Sequence, residues 1–251
     1  MSTLHPIHLN AADGTRIHCD RITGKDRQIL FMTGFLSKRW GNKSKALAQW
    51  CQEHGWGFCC YDVRGCGESE GSFTDYTLSD WIADARLVLT TLKEGPPMTI
   101  VGNSLGGWIA WLMAQEFEQI EQLILIAPAF NMMGVRARSI SEERRHAWLT
   151  AGWMPWDDDE LHRDFPVAWK WVEESDAYWK ISFDRLRKVK TTILHGLQDT
   201  VILPQGSSQF VEQLLAQDPS FPIELNLIPG DHRLSRPEHV ETFRRIVVER
   251  S

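Results

Sequence analysis

The chain has 251 residues, 43% of them apolar and 24% charged, an ordinary balance that can bury a full core within one α/β domain. Its formal net charge is −6, and the interspersed charges form no basic stripe, which argues against a nucleic-acid partner. No apolar run approaches the roughly 20 residues that span a bilayer.

Residues 1–6 contain neither a basic segment followed by an apolar run nor an Arg-rich amphipathic pattern, so a soluble cytoplasmic protein is expected. The five cysteines are Cys19, Cys51, Cys59, Cys60 and Cys66. Their odd number and spacing match neither a zinc site nor a disulfide framework, so reduced thiols and no metal are expected.

Residues 7–9 and 16–22 flank Asp13-Gly14 and read as an antiparallel hairpin. A buried strand is predicted over 28–32, then a helix over 43–54 stopped by Gly55, then a strand over 57–61. Thr77, with Asp80 three residues on, opens a helix. Its apolar face (Leu78, Trp81, Ile82, Ala85, Val88, Leu89, Leu92) follows the 3.6-residue period. A strand over 98–101, a helix over 108–117 and a strand over 123–127 follow.

The pattern then changes. Residues from about 130 to 186 contain no convincing strand but hold six tryptophans: Trp148, Trp153, Trp156, Trp169, Trp171 and Trp179. Pro155, Pro166 and the acidic run at 157–160 punctuate them, and the segment reads as a helical cap insertion. Alternation resumes with a strand over 191–194, a helix over 207–216 and a strand over 223–228. The last helix starts after Ser235, where Ser235 and Glu238 have capping-box spacing and Pro237 lies in the first turn. Strand–helix alternation of this kind predicts an α/β fold, a mostly parallel twisted sheet with helices on both faces. A single domain over 1–251, carrying that insertion, is expected.

Gly102-Asn103-Ser104-Leu105-Gly106 is a G-x-S-x-G string between an apolar strand and an apolar helix. A nucleophile at the tip of such a turn sits in a strained backbone, so small neighbours are required, and Gly102, Gly106 and Gly107 supply them. The turn also puts Ser104 at a helix N-terminus, where free N–H groups favour developing negative charge. A glycine-rich turn with an incidental serine would share the string. A nucleotide-binding loop would need a different glycine spacing.

Serine needs a general base, and the base needs an orienting acid. Asp199 follows the strand at 191–194 and His232 follows the strand at 223–228, giving the order Ser, Asp, His on late-strand loops. His195 competes for the base but lies at a strand terminus before the acid, where a structural hydrogen bond is expected. Asp231 competes for the acid but adjoins His232, and neighbouring side chains on an extended stretch diverge. The loop Thr33-Gly34-Phe35-Leu36-Ser37 follows the first core strand, so the backbone N–H groups of Phe35 and Leu105 are the expected oxyanion donors, worth on the order of 3 kcal/mol each.

Together these segments resemble the α/β-hydrolase superfamily over about residues 28–250, with residues 62–69 similar to the turn after its fourth strand. Within it, Gly34 to Ser37, Lys45-Ala46-Leu47, Gly102 to Trp108 and Asp231-His232-Arg233 resemble the acyl-protein thioesterase and acyl-glucuronide esterase group. That resemblance implies hydrolysis of acyl esters or thioesters with no metal or cofactor. Many superfamily members carry His-Gly in the oxyanion loop, where this chain has Thr33-Gly34.

The expected activity is therefore that of a serine hydrolase acting on a small-molecule or acylated substrate. The insertion is expected to roof an apolar acyl pocket, with Trp148, Trp153 and Trp156 as substrate-binding residues; the competing reading has its tryptophans pack the insertion onto the sheet. A peptidase, amidase or carbon–carbon bond hydrolase would use the same three residues. A non-catalytic binding module would have no use for them. Oligomeric state leaves no signature in the sequence.

Overall fold

The computed structural model describes residues 4–158, 163–184 and 186–249. Eight strands form one sheet: β1 (Leu4–Asn10), β2 (Arg16–Ile22), β3 (Gln28–Met32), β4 (Gly57–Tyr61), β5 (Met98–Asn103), β6 (Ile120–Ile126), β9 (Lys190–Gly196) and β10 (Ile223–Ile228). Their spatial order is β1-β2-β4-β3-β5-β6-β9-β10. From β4 to β10 every pairing is parallel, while β1 and β2 make an antiparallel hairpin that pairs antiparallel to β4.

The strand sequences explain the layering. Along β3, Ile29 and Phe31 point to one face and Leu30 and Met32 to the other, as the two-residue period requires. The first face is covered by Leu47, Trp50 and Cys51 of α1 (Asn42–His54) and by Phe243 and Val247 of α8 (Pro237–Glu249). The second is covered by α2 (Leu78–Leu92), α3 (Leu105–Glu116) and α7 (Pro204–Gln217). With both faces covered, β3 and β4 are buried along their whole length. Gly55 ends α1 in the left-handed region (φ +69°), and Asp80 accepts the Thr77 N–H at 2.8 Å to cap α2. At α8 the helix starts at Pro237, and the Val240 N–H bonds to the Arg236 carbonyl, so Arg236 stands at the helix boundary where Ser235 was expected.

The insertion between β6 and β9 is not wholly helical. It holds α4 (Met132–Ser139), α5 (Glu142–Ala151) and α6 (Lys170–Ile181), but also an antiparallel hairpin of β7 (Trp153–Asp158) and β8 (Arg163–Ala168). Prolines hid it from sequence reading. Pro155 and Pro166 face each other across the ribbon, and a two-stranded ribbon has only edge strands, where proline is tolerated.

The insertion is tied to the sheet by buried indoles. Trp171 is buried on α6, donates from Nε1 to the Tyr76 carbonyl at 3.2 Å, and meets Trp81 and Phe35 edge-on. Trp108 and Trp111 of α3 donate to Ser182, just past α6. Glu174 of α6 accepts the Ser79 N–H in the first turn of α2. Among the described residues no helix is long and apolar enough to cross a membrane.

Candidate active site

Strand β5 runs into α3 through one residue, Ser104, whose φ of +53° and ψ of −122° are costly for any residue with a Cβ. Close approach of backbones enforces the turn. A Cβ on Gly102 would sit 2.6 Å from Gly106 O and Gly107 Cα, and one on Gly106 would sit 2.3 Å from Thr33 O. The Ser104 N–H bonds to Ile126 O at 2.8 Å, and its carbonyl accepts the Ala129 N–H at 3.0 Å, locking the turn to the end of β6.

The structure brings together the three side chains singled out by sequence. His232 Nε2 lies 3.1 Å from Ser104 Oγ, and His232 Nδ1 donates to Asp199 Oδ2 at 2.7 Å. Asp199 Oδ1 accepts the N–H groups of Val201 and Ile202, both at 2.9 Å. Burial of Asp199 would raise its pKa, but the hydrogen bonds from His195 and His232 outweigh it and hold the carboxyl well below its usual range.

His195, fully buried, does more than the expected structural bond. Its Nε2 faces two oxygens, Asp199 Oδ2 at 3.0 Å and Ile202 O at 2.8 Å, and so donates to them; its Nδ1 pairs with the Ser207 hydroxyl at 2.8 Å. Both imidazoles therefore converge on one carboxylate oxygen. Asp231 is exposed, and its Oδ1 accepts the Leu234 N–H, fixing the loop that carries His232.

The segment from Thr33 to Ser37 borders the serine, and a Cβ on Gly34 would lie 3.0 Å from Ser104 Cβ. Leu105 opens α3, so its N–H has no intrahelical acceptor. The ring of Phe35 is boxed by Phe73, Trp81 and Trp171 at 5.3–5.7 Å between centroids. Sequence reading missed what secures the far end of this loop. Arg39 is buried and donates to Asp20 and Glu68 at 2.6 Å, and to Asp62, which also takes the Glu68 N–H. These charge-assisted bonds pin the loop to the turn after β4.

Ser104 and His232 open into a cavity of about 690 Å³. Phe35, Leu36, Phe73, Met132, Val201 and Ile202 give it apolar walls; Trp40 and the start of α1 complete it. Leu36, Asn131 and Leu234, like Ser104, have positive φ and lie in or beside its lining, so backbone strain is concentrated here. Trp148 and Trp153 are absent from the described lining. Trp148 is buried, donating to Val167 O at 2.8 Å and packing on Trp169, and Trp153 is 45% exposed. The side chain of Trp156 lies outside the described residues. Among the described residues no group of three or more His, Cys, Asp or Glu could hold a metal ion.

This is a hydrolase with the α/β-hydrolase fold, and the chain belongs to the serine aminopeptidase, S33 family, whose model matches residues 25–180. It is similar to palmitoyl-protein thioesterase ABHD10, mitochondrial, of Mus musculus, with 25% identity over 90% of this chain and 75% of the relative. The Homo sapiens protein of that name is 25% identical over 93% of this chain and 76% of its own. Among solved structures, mouse α/β-hydrolase domain-containing protein 10 superposes with a TM-score of 0.87 at 24% identity, covering 98% of this chain and 100% of that one. A putative hydrolase from Agrobacterium vitis S4 also gives 0.87, at 26% identity and 98% coverage of both chains. Est1E of Butyrivibrio proteoclasticus, solved with ferulic acid bound, gives 0.78 at 21% identity, covering 97% of this chain and 96% of that one. The family and group resemblance is thereby borne out. The curated relatives are named as mitochondrial, so they lend no support to a cytoplasmic location.

Proposed function

We propose that the chain is a serine hydrolase that cleaves a carboxylic ester or thioester through an acyl-enzyme. The observation that carries this reading is the unbroken hydrogen-bonded series Asp199–His232–Ser104, with the hydroxyl on a strained turn at the mouth of a cavity. In the proposed reaction His232 takes the Ser104 proton as Oγ attacks the carbonyl carbon. The oxyanion forms against the N–H groups of Phe35 and Leu105. Collapse breaks the carbon–sulfur or carbon–oxygen bond, and the leaving atom takes the proton from His232. Water, deprotonated by His232, then releases the acid and restores Ser104. Asp199 holds the ring orientation and compensates its positive charge.

The likeness to palmitoyl-protein thioesterases favours the thioester branch, while membership of the serine aminopeptidase family keeps an aminopeptidase as the second reading. A panel of matched esters, thioesters and aminoacyl anilides separates the two. Wild type is expected to turn over the acyl esters and thioesters and to label with a fluorophosphonate, and Ser104→Ala to lose both. A Ser104→Ala protein that labels and turns over normally removes Ser104 from the mechanism. Anilides preferred over thioesters would make the chain a peptidase.

A further inference from the structure

The charges around this cavity are one-sided. Lys38, Lys43 and Arg233 line it, and no aspartate or glutamate does among the described residues, in a chain whose net charge is −6. Several cations elsewhere are matched: Arg16 with Glu70, Arg39 with Asp20, Arg64 with Asp84, Arg86 with Glu116 and Lys188 with Asp218 all lie within 3.0 Å. Among the described residues Lys38, Lys43 and Arg233 make no such pair. Lys43 is half-buried and reaches the main chain of the loop carrying His232, its Nζ donating to the Arg233 carbonyl.

The position of these cations follows from the reaction. His232 must hand its proton to the leaving atom, so the leaving group departs along the His232 side of the cavity. Arg233 is the next residue, and Lys43 bonds to it. Asn42, Ser44 and Ser235, neighbours of Lys43 and Arg233 in the chain, also line the cavity and add neutral polar groups. The apolar lining residues Phe35, Leu36, Phe73, Met132, Val201 and Ile202 suit an acyl chain. Several cations with no carboxylate in ion-pair contact among the described residues best match a multiply charged anion. Arginine and lysine on one ligand are a common way of holding phosphate.

We propose that the leaving-group side of the cavity is a phosphate subsite, and that the substrate is an acyl thioester of a phosphate-bearing thiol. This rests on the esterase and thioesterase reading above. Burial lowers the pKa of Lys43 to about 8 against the opposing pull of Asp231, with Arg233 lowering it further. A bound phosphate would restore the charge. Activity on a phosphorylated thioester should therefore fall above about pH 8 more steeply than activity on a neutral one.

The test uses the full chain and matched decanoyl thioesters of pantetheine, 4′-phosphopantetheine, coenzyme A and thioglycolate. The expected kcat/KM rises from pantetheine through phosphopantetheine to coenzyme A, by on the order of tenfold end to end at low ionic strength. The spread should shrink to about twofold in roughly 0.5 M salt. In Lys38→Glu/Arg233→Glu the ratio of coenzyme A to pantetheine activity should fall below one. A ratio is unaffected by loss of folded protein. Equal rates on all four thioesters, a preference for thioglycolate, or a ratio the double variant leaves unmoved would overturn the subsite while leaving the hydrolase reading in place. Cleavage of none of them, nor of decanoyl p-nitrophenyl ester, would overturn both.

Discussion

Gly106→Ala isolates the contact that builds the serine turn. An added Cβ would sit 2.3 Å from Thr33 O, 2.5 Å from Met32 O and 2.7 Å from Met32 C. All three are backbone atoms at the end of β3, so no side chain can rotate away. To reach ordinary van der Waals separation, α3 must retreat from the sheet by about 1 Å, and overpacking of this kind costs about 2–3 kcal/mol. For a chain of this size that lowers Tm by roughly 4–12 °C. The same retreat carries the Leu105 N–H away from Phe35, and loss of one of the two proposed oxyanion donors should cost about 10²-fold in kcat. Differential scanning calorimetry and ester hydrolysis read the two effects. Gly206→Ala is the control: a Cβ there meets nothing within 4 Å, and the residue lies in the first turn of α7. Alanine should stabilise that helix by about 0.5–1 kcal/mol, raising Tm by roughly 1–4 °C. If Gly106→Ala melts and turns over like wild type, the packing account of the turn is wrong.

His195→Phe removes one of the two imidazole donors to Asp199 Oδ2. The carboxylate, less well satisfied, should hold the His232 ring less firmly in place and lower kcat by up to about tenfold, the rate equivalent of one hydrogen bond. A Tm loss with an unchanged kcat would reduce His195 to packing. Asp199 has a lowered folded-state pKa, so its contribution to stability is present above about pH 4 and is lost as pH falls through the folded value, where the unfolded chain binds more protons. Urea midpoints should therefore show wild type losing its advantage over Asp199→Asn progressively below about pH 4, and an advantage constant down to pH 2 would contradict this. Trp171→Ala should cost about 3–5 kcal/mol by calorimetry, whereas Trp153→Ala, at 45% exposed, should stay within about 0.5 kcal/mol. Comparable losses in both would show that the indoles are wrongly apportioned between packing and surface.

Ser104, Asp199 and His232 were legible because local signals fixed the places of all three. Strand ends are marked by short apolar runs, and in a parallel sheet they deliver their loops to one edge, so chain order translated into proximity. The hairpin of β7 and β8 was illegible for a local reason: Pro155, Pro166 and the acidic run all argue against a strand, and only the isolation of the ribbon excuses them. Arg39 and Lys43 were hidden for a different reason. Their partners, Asp62 and the Arg233 carbonyl, are distant in sequence, and a lone cation in a loop (Arg39) or in the first turn of a helix (Lys43) carries no periodicity. The tryptophans exposed a further limit: composition reports that a side chain is apolar, not which apolar surface it meets.

That last point relocates the question of specificity. Six tryptophans in the insertion suggested an acyl pocket roofed from above, yet Trp148 and Trp171 use their indole N–H groups to cap carbonyls of the protein itself, at Val167 and Tyr76. An indole committed in this way cannot also reshape itself around a ligand. Of the insertion, Met132 alone reaches the described cavity lining, beside Leu36, Val201 and Ile202. Those neighbours belong to the loops after β3 and β9, the loops that also carry Phe35 and Asp199. The walls that would grip an acyl chain and the groups that would cleave it thus share backbone. A substitution at Leu36 or Ile202 should change rate and chain-length preference together, whereas the insertion acts on the site by holding Phe35 through Trp171.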